Sequence, residues 1–217
     1  MMKKPKYRMT NKQARFAVLS GIVLLLLLFI DQITKAWSAG AAADIAGSQA
    51  AADKLAQGSG VVLSNWLLGI IRLKYIINEG MAYSLFSDNP TAMVVITVLT
   101  VFMIIGIGVI FFTLFKGNPP AQMCLAIIES GAIGNLIDRL YFGYVRDFLD
   151  ISPIGFGTCN PADWCISLGA VALVFIILFI GPTSLFPLTK KWREEAKRMD
   201  EEKKKAKNEK KTKQAKK

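Results

Sequence analysis

Residues able to do chemistry concentrate between Glu129 and Asp163, in the stretch ESGAIGNLIDRLYFGYVRDFLDISPIGFGTCNPAD. It starts inside one apolar run and ends at the start of another, yet holds Glu129, Asn135, Asp138, Arg139, Arg146, Asp147, Asp150, Asn160 and Asp163. An ionisable group at the edge of lipid costs about 2.5 to 3.5 kcal/mol on insertion scales, so a cluster of them implies use. The chain has no histidine, which excludes a Ser-His-Asp or Cys-His mechanism and any His-ligated metal. Three cysteines, Cys124, Cys159 and Cys165, match no zinc-finger spacing and are expected to pack as small residues, with Cys159 and Cys165 also able to pair outside the cytoplasm, and with no metal and no cofactor. Proton chemistry then falls to Asp, Glu, Lys or Tyr. Asp147 and Asp163 come from different elements and can approach each other. Two carboxylates at hydrogen-bond distance share a proton and titrate as a unit. One can take a proton from water while the other gives one to a scissile carbonyl. Asp138 with Asp163, and Asp147 with Asp150, are other possible pairs, although Asp138 beside Arg139 reads as a structural partner.

The elements that must position these groups are membrane spans. Of the 217 residues, 53% are hydrophobic, and they fall in long blocks at about 16–38, 91–115, 121–142 and 162–181. The expected fold is membrane α-helical: a four-transmembrane-helix bundle with a small periplasmic β-sheet, or cradle, and a short extramembrane helix. A weak helix is expected within the Ala-rich residues 39–60. The outer sheet is expected at about 61–86, where Ile71, Leu73, Tyr75 and Ile77 alternate with Arg72, Lys74, Ile76 and Asn78, and Trp66 suits the interface. Asn78-Glu79-Gly80 reads as a turn, in which Gly80 permits close backbone approach and Asn78 offers a donor and an acceptor. In the third span Ser130, Gly131, Ala132 and Gly134 form a small-residue face, and Asn135, Asp138 and Arg139 share one side. Residues 141–160 are expected to be an outer loop. Asn160 is the natural N-cap of the last span, with Pro161 and Asp163 in its first turn. Asp31 and Lys35, four apart, form a helix-end ion pair with Lys35 snorkelling to the interface, or else help hold the active region.

Charge sets the orientation. The net charge is +11, with six Lys/Arg and no acid in residues 1–15 and fourteen Lys/Arg against six acids in residues 190–217. These segments flank apolar spans, so they indicate membrane orientation rather than nucleic-acid binding. The basic leader and first apolar run look like a signal peptide, but even-numbered spans with two basic ends argue that the run is retained. Both termini then lie in the cytoplasm, and residues 1–188 form the membrane domain with 189–217 as a basic, solvated tail able to rest on anionic lipid. This topology puts Asp31, Asn78, Asn135, Asp138, Arg139, Asp147, Asn160 and Asp163 at the outer interface.

Five segments in order, DQITK at 31–35, NEGMAYS at 78–84, SGAIGNLIDR at 130–139, VRDF at 145–148 and NPAD at 160–163, resemble the lipoprotein signal peptidases (signal peptidase II). Ser130, Tyr83, Arg146 and Pro161 depart from that family's usual residues. The resemblance implies a bacterial inner-membrane aspartic endopeptidase that removes signal peptides from diacylglyceryl-modified prolipoproteins, cutting before the lipidated cysteine. It implies Asp147 and Asp163 as the catalytic dyad. Asn78, Gly80, Asn135, Arg139 and Asn160 would contact or support substrate, while Asp31, Lys35, Gly131 and Asp138 would hold the site together. It also implies inhibition by globomycin, and a monomer among membrane lipids is the expected state. The competing readings are a non-enzymatic transport or assembly subunit, and an intramembrane aspartic protease of the Gly-x-Gly-Asp type, a motif this chain lacks.

Overall fold

The computed structural model describes residues 11–66, 69–79, 90–115, 118–181 and 184–215. Among these, four helices are long and apolar enough to cross a membrane: Gln13–Ala46, Met93–Thr113, Pro119–Phe142 and Pro161–Phe179. In chain order the elements are α1 (Asn11–Ala46), α2 (Gln49–Ala56), β1 (Val61–Trp66), β2 (Ile71–Asn78), α3 (Pro90–Thr113), α4 (Pro119–Phe142), β3 (Val145–Asp150), β4 (Thr158–Cys159), α5 (Pro161–Phe179) and α6 (Lys190–Ala215). The expected helical membrane fold with a small sheet and a short extramembrane helix is present.

Helix α1 runs to Ala46, past the expected end near 38. The added residues are mostly alanine, the strongest helix former, and the helix stops at Gly47, whose φ of 84° is left-handed. At 1.5 Å per residue its 36 residues make a rod of about 54 Å, far longer than the ~30 Å hydrocarbon layer. Ser48 then caps α2, its hydroxyl accepting from the Ala51 N–H at 3.2 Å. Ala42 of α1 and Ala52 and Ala56 of α2 pack on Val61, Tyr75 and Ile77 of the first two strands. The small side chains bring the helices close to the sheet. Tyr75, fully buried, donates to Asp53 of α2 at 3.2 Å, and Tyr144 donates to the other Asp53 oxygen at 3.5 Å. Burial, with Tyr144 and Asp53 beside it, pushes the Tyr75 phenol up, so it stays a neutral donor.

The sheet has order β1-β2-β3-β4, all antiparallel. Strand β2 alternates as expected: Leu73, Tyr75 and Ile77 are buried, and the residues between them are half-buried. The stretch expected as an outer loop corrects the sequence reading. Residues 145–150 are a strand, paired so that Ile76 faces Asp147 and Arg72 faces Asp150. Five of its six residues are buried, and three of the six are charged. A strand covered on both faces has no polar–apolar alternation to display, and charges inside it make it look like a loop.

Helix α4 is the most enclosed span, burying Leu125, Ile128, Gly131, Ala132, Gly134 and Asn135 among others. Exposed Val94, Leu99 and Phe102 of α3, and Leu25, Leu26 and Phe29 of α1, are suited to face lipid. The chain divides into two compact units, Met1–Ala170 and Val171–Lys217. In the second, the chain after α5 folds back on that helix's end: the Leu185 and Phe186 N–H groups donate to Ile177 and Leu178 carbonyls at 3.1 and 2.7 Å. Arg193 of α6 donates to the carbonyls of Pro187 and Leu188. The basic tail, expected to be solvated and partly helical or disordered, is helical over Lys190–Ala215.

Candidate active site

The start of α5 builds one half of the site locally. Asn160 Oδ1 accepts from the Asp163 N–H at 3.1 Å, and Asp163 Oδ2 accepts from the Asn160 N–H, also at 3.1 Å. This reciprocal pair is a capping box, and Pro161 occupies the first helical position. It sets the Asp163 carboxylate at the helix mouth. The amide of Asn160 is left to point outward from the box. Its Nδ2 donates to Asp147 Oδ1 at 2.6 Å and to Asn135 Oδ1 at 3.2 Å.

Strand β3 and helix α4 supply the other half. Asp147 Oδ2 accepts from Asn78 Nδ2 of β2 at 2.9 Å, and Asp163 Oδ1 accepts from Asn135 Nδ2 of α4 at 2.8 Å. Each carboxylate therefore has both oxygens engaged, and Asn160 touches both. Asp147 is only 2% exposed. Burial first, and the Asp163 charge second, push its carboxyl up to about 7, against the hydrogen bonds from Asn78 and Asn160 and the charge of Lys35. It can therefore hold a proton near neutral pH, which an ordinary aspartate does not. A cleft of about 280 Å³ opens beside it, lined by Ile76, Ile77, Asn78, Asp147, Ser152, Gly157 and Thr158.

Behind the carboxylates lies a buried polar network. Lys35 is fully buried, so it does not snorkel. Its Nζ donates to Asn135 Oδ1 at 2.8 Å and pairs with Asp31 at 3.0 Å and Asp138 at 3.5 Å. Asp31 Oδ1 accepts the Ala162 N–H at 3.1 Å, which ties α1 to the first turn of α5. Glycines permit this approach. A Cβ on Gly134 would collide with Asp31 Oδ2, and one on Gly131 would collide with the Ala162 carbonyl and lie 2.9 Å from Ile166 Cγ1.

Asp138 corrects the sequence reading in its partner. Its carboxylate is held not by the adjacent Arg139 but by Arg146, through Nη2 at 2.7 Å and Nε at 3.2 Å, and by the Arg146 N–H at 3.0 Å. Arg139 is half-buried, and its Nη1 reaches the Asn135 carbonyl at 3.5 Å. Its guanidinium is in electrostatic range of Asp163 and Asp147, and its Nε has no hydrogen-bond partner among the described residues. Asp150 is engaged elsewhere, 2.7 Å from Arg72 and bonded by Ser152. Burial opposes its charge, but Ser152 and Arg72 hold its carboxyl below the usual carboxylate range. Neither Asp138 nor Asp150 is therefore free to pair as the sequence allowed. Glu129 lies against Gly108 of α3. Gly80 falls outside the described residues.

Two network members, Gln32 and Arg146, carry roles that the sequence reading did not assign. Gln32 Nε2 donates to Asp31 at 3.0 Å and to the Gly134 carbonyl at 3.1 Å, and its Oε1 accepts from Arg146 at 3.1 Å. Arg146 also lies 4.4 Å above the Phe142 ring. The available signal was an amide inside an apolar span and a cation directly before a carboxylate in a strand.

The chain is similar to known proteins in sequence and in fold. Lipoprotein signal peptidases of Streptococcus pyogenes serotype M5 (strain Manfredo) and serotype M18 (strain MGAS8232) are each 32% identical over 155 residues, covering 71% of this chain and 89% of theirs. Two solved structures described as bacterial membrane enzymes, at 2.3 and 1.9 Å, share the fold with TM-scores of 0.56 and 0.57. They are 21% identical and cover 74% of this chain, and 88% and 93% of their own. Residues 23–179 match the family described as Signal peptidase (SPase) II, so this chain belongs to that family.

Proposed function

We propose that this protein is an aspartic endopeptidase that removes signal peptides from diacylglyceryl-modified prolipoproteins, cutting before the lipidated cysteine, with Asp147 and Asp163 as its catalytic pair. The observation that carries the reading is the shared clamp on the two carboxylates. Asn160 bonds both, Asn78 and Asn135 take one more oxygen each, and one acid is buried enough to hold a proton near pH 7. Water placed between them loses a proton to Asp163 as its oxygen attacks the scissile carbonyl carbon, while Asp147 gives its proton to the carbonyl oxygen. The resulting gem-diol collapses, the C–N bond breaks, and the amine leaves with a proton returned by the pair. Asn78, Asn135 and Asn160 keep the carboxylates oriented. Arg139 and Gly80 serve the substrate, and Asp31, Lys35, Gly131 and Asp138 hold the frame.

The protein is a multi-pass membrane protein, and its chemistry suits a substrate anchored in lipid. An acylated cysteine delivers the bond at head-group level, and holding both partners at one depth removes part of the entropic barrier. The basic ends support an inner-membrane orientation with both termini cytoplasmic and the site at the periplasmic interface. Residues 1–188 act as the peptidase domain and 189–217 as the cytoplasmic tail. The working unit is a monomer among membrane lipids, inhibited by globomycin. Family membership leaves the transport or assembly alternative without support.

The test is cleavage of a purified diacylglyceryl-modified prolipoprotein by the wild type, Asp147→Asn and Asp163→Asn. Each variant should fold and lose turnover by more than about 10³-fold. Near-normal cleavage by either one would overturn the pair.

A further inference from the structure

The reaction above uses Asp147 but assigns nothing to the residue before it. Arg146 is an arginine with 7% side-chain exposure, on a strand buried on both faces. It spends its fork on one carboxylate. Nη2 and Nε reach the two oxygens of Asp138 at 2.7 and 3.2 Å, and its own backbone N–H reaches Oδ2 at 3.0 Å. Asp138 is itself fully buried, so it needs a compensating charge. Nη2 also donates to Gln32 on α1 at 3.1 Å. Arg146 thus ties β3 to α4 and α1 one residue away from Asp147.

Charge closes around it as well. Asp31, Asp138, Lys35 and Arg146 make two acids and two bases in one buried set. Because Arg146 takes both oxygens of Asp138 at close range, Lys35 stays nearer to Asp31, at 3.0 Å, than to Asp138, at 3.5 Å. It then donates to Asn135 at 2.8 Å, and Asn135 serves Asp163. Without Arg146, Asp138 would draw Lys35 and loosen that amide.

We propose that Arg146 is a positioning residue for the cleavage reaction, fixing Asp147 by anchoring β3 to Asp138 and fixing Asp163 indirectly by leaving Lys35 to Asn135. The proposal rests on Asp147 and Asp163 being the working pair. Lysine would keep the charge but not the fork: its three donors sit on a single nitrogen, which lacks the planar spread needed to take both Asp138 oxygens and Gln32 together. Asp147 is faced by Asp163 from α5, Lys35 from α1, Arg139 from α4, and Cys159 from β4. Deleting the Arg146 cation leaves net negative charge in the network behind this group, so Asp147 should hold its proton to higher pH.

The test uses the full-length protein in lipid nanodiscs with a diacylglyceryl-modified prolipoprotein. It compares wild type, Arg146→Gln, Arg146→Lys, Asp138→Asn and the double variant Asp138→Asn/Arg146→Gln. For Arg146→Gln, kcat should fall about 10²-fold with KM within a few-fold, and the alkaline limb of the rate–pH profile should move up. Arg146→Lys should restore the wild-type limb while recovering only part of kcat. Asp138→Asn should cost less in the Arg146→Gln background than alone, because the two side chains act as a unit. A folded Arg146→Gln protein with kcat within twofold of wild type would overturn the proposal. So would an unchanged pH profile, or strictly additive effects of the two substitutions. If Arg146→Gln does not fold, Arg146→Lys decides: full kcat overturns the proposal, and partial kcat with the wild-type limb supports it. Retained activity in Asp147→Asn or Asp163→Asn sinks the catalytic pair instead, so the two failures are separable.

Discussion

Gly131→Ala adds one methyl group where α4 meets the start of α5. The new carbon would sit 2.9 Å from Ile166 Cγ1 and 3.1 Å from the Ala162 carbonyl carbon, with the Ala162 oxygen closer still. Ordinary contact begins at 3.4 Å. Ile166 can rotate, but the Ala162 carbonyl belongs to the first turn of α5 and cannot. Relief therefore means moving that turn away from α4. Asp163 is the next residue, and its link to Asn135 across this boundary is a 2.8 Å hydrogen bond. Overpacking of this kind costs about 1–3 kcal/mol of stability. A displacement on the order of 1 Å at the reacting groups costs about 10²-fold in rate. The assay is single-turnover cleavage of a lipid-modified prolipoprotein in nanodiscs, with thermal unfolding measured in parallel. Gly106→Ala on α3 is the control, because no atom of the described residues lies within 4 Å of its added carbon. Gly131→Ala should lose about two orders of magnitude in kcat while Gly106→Ala keeps wild-type activity. A folded Gly131→Ala protein that cleaves at the wild-type rate would refute the idea that this close approach positions Asp163.

The Asp147 carboxyl also predicts how stability depends on pH. Its folded value rises from 3.8 to about 7, so between those values the folded protein binds more protons than the unfolded chain. Its contribution is fully present below about pH 4 and is lost as pH climbs through 7, a swing of up to about 4 kcal/mol. Asp147→Asn should remove this swing, and parallel stability–pH curves for the two proteins would show the reasoning to be wrong. At Asp53 on α2, substitution by Ala removes the acceptor of the buried Tyr75 hydroxyl and of Tyr144. This should cost about 1–3 kcal/mol, read as a lower thermal midpoint. Asp53→Asn, which keeps an acceptor, should lose less, and an unchanged midpoint in Asp53→Ala would contradict the packing described for α2.

The membrane architecture was written in the chain because its causes are local and additive. A bilayer demands about 20 apolar residues per helix, and such runs are visible in composition alone. Counting spans was therefore enough to bring Asp147 and Asp163 to one level. The setting of Asp163 was equally local, since NPAD carries both halves of its capping box within four residues. Other parts were hidden by their own chemistry. Strand β3 is buried on both faces and holds charges, so no period-2 pattern marked it.

Which polar groups meet was settled only by folding. Asp138 could have taken Arg139, its neighbour, but the turn after α4 returns Arg146 to its oxygens instead. Lys35 was expected near a helix end, where it could have reached water, yet α1 runs on to Ala46, and packing encloses Lys35 and gives it Asn135, one hundred residues away. Alternation and hydropathy describe each residue against an average surrounding, either lipid or water. A buried hydrogen bond depends on one particular partner at about 3 Å, and that separation exists only after α1, α4, β3 and the start of α5 have packed together.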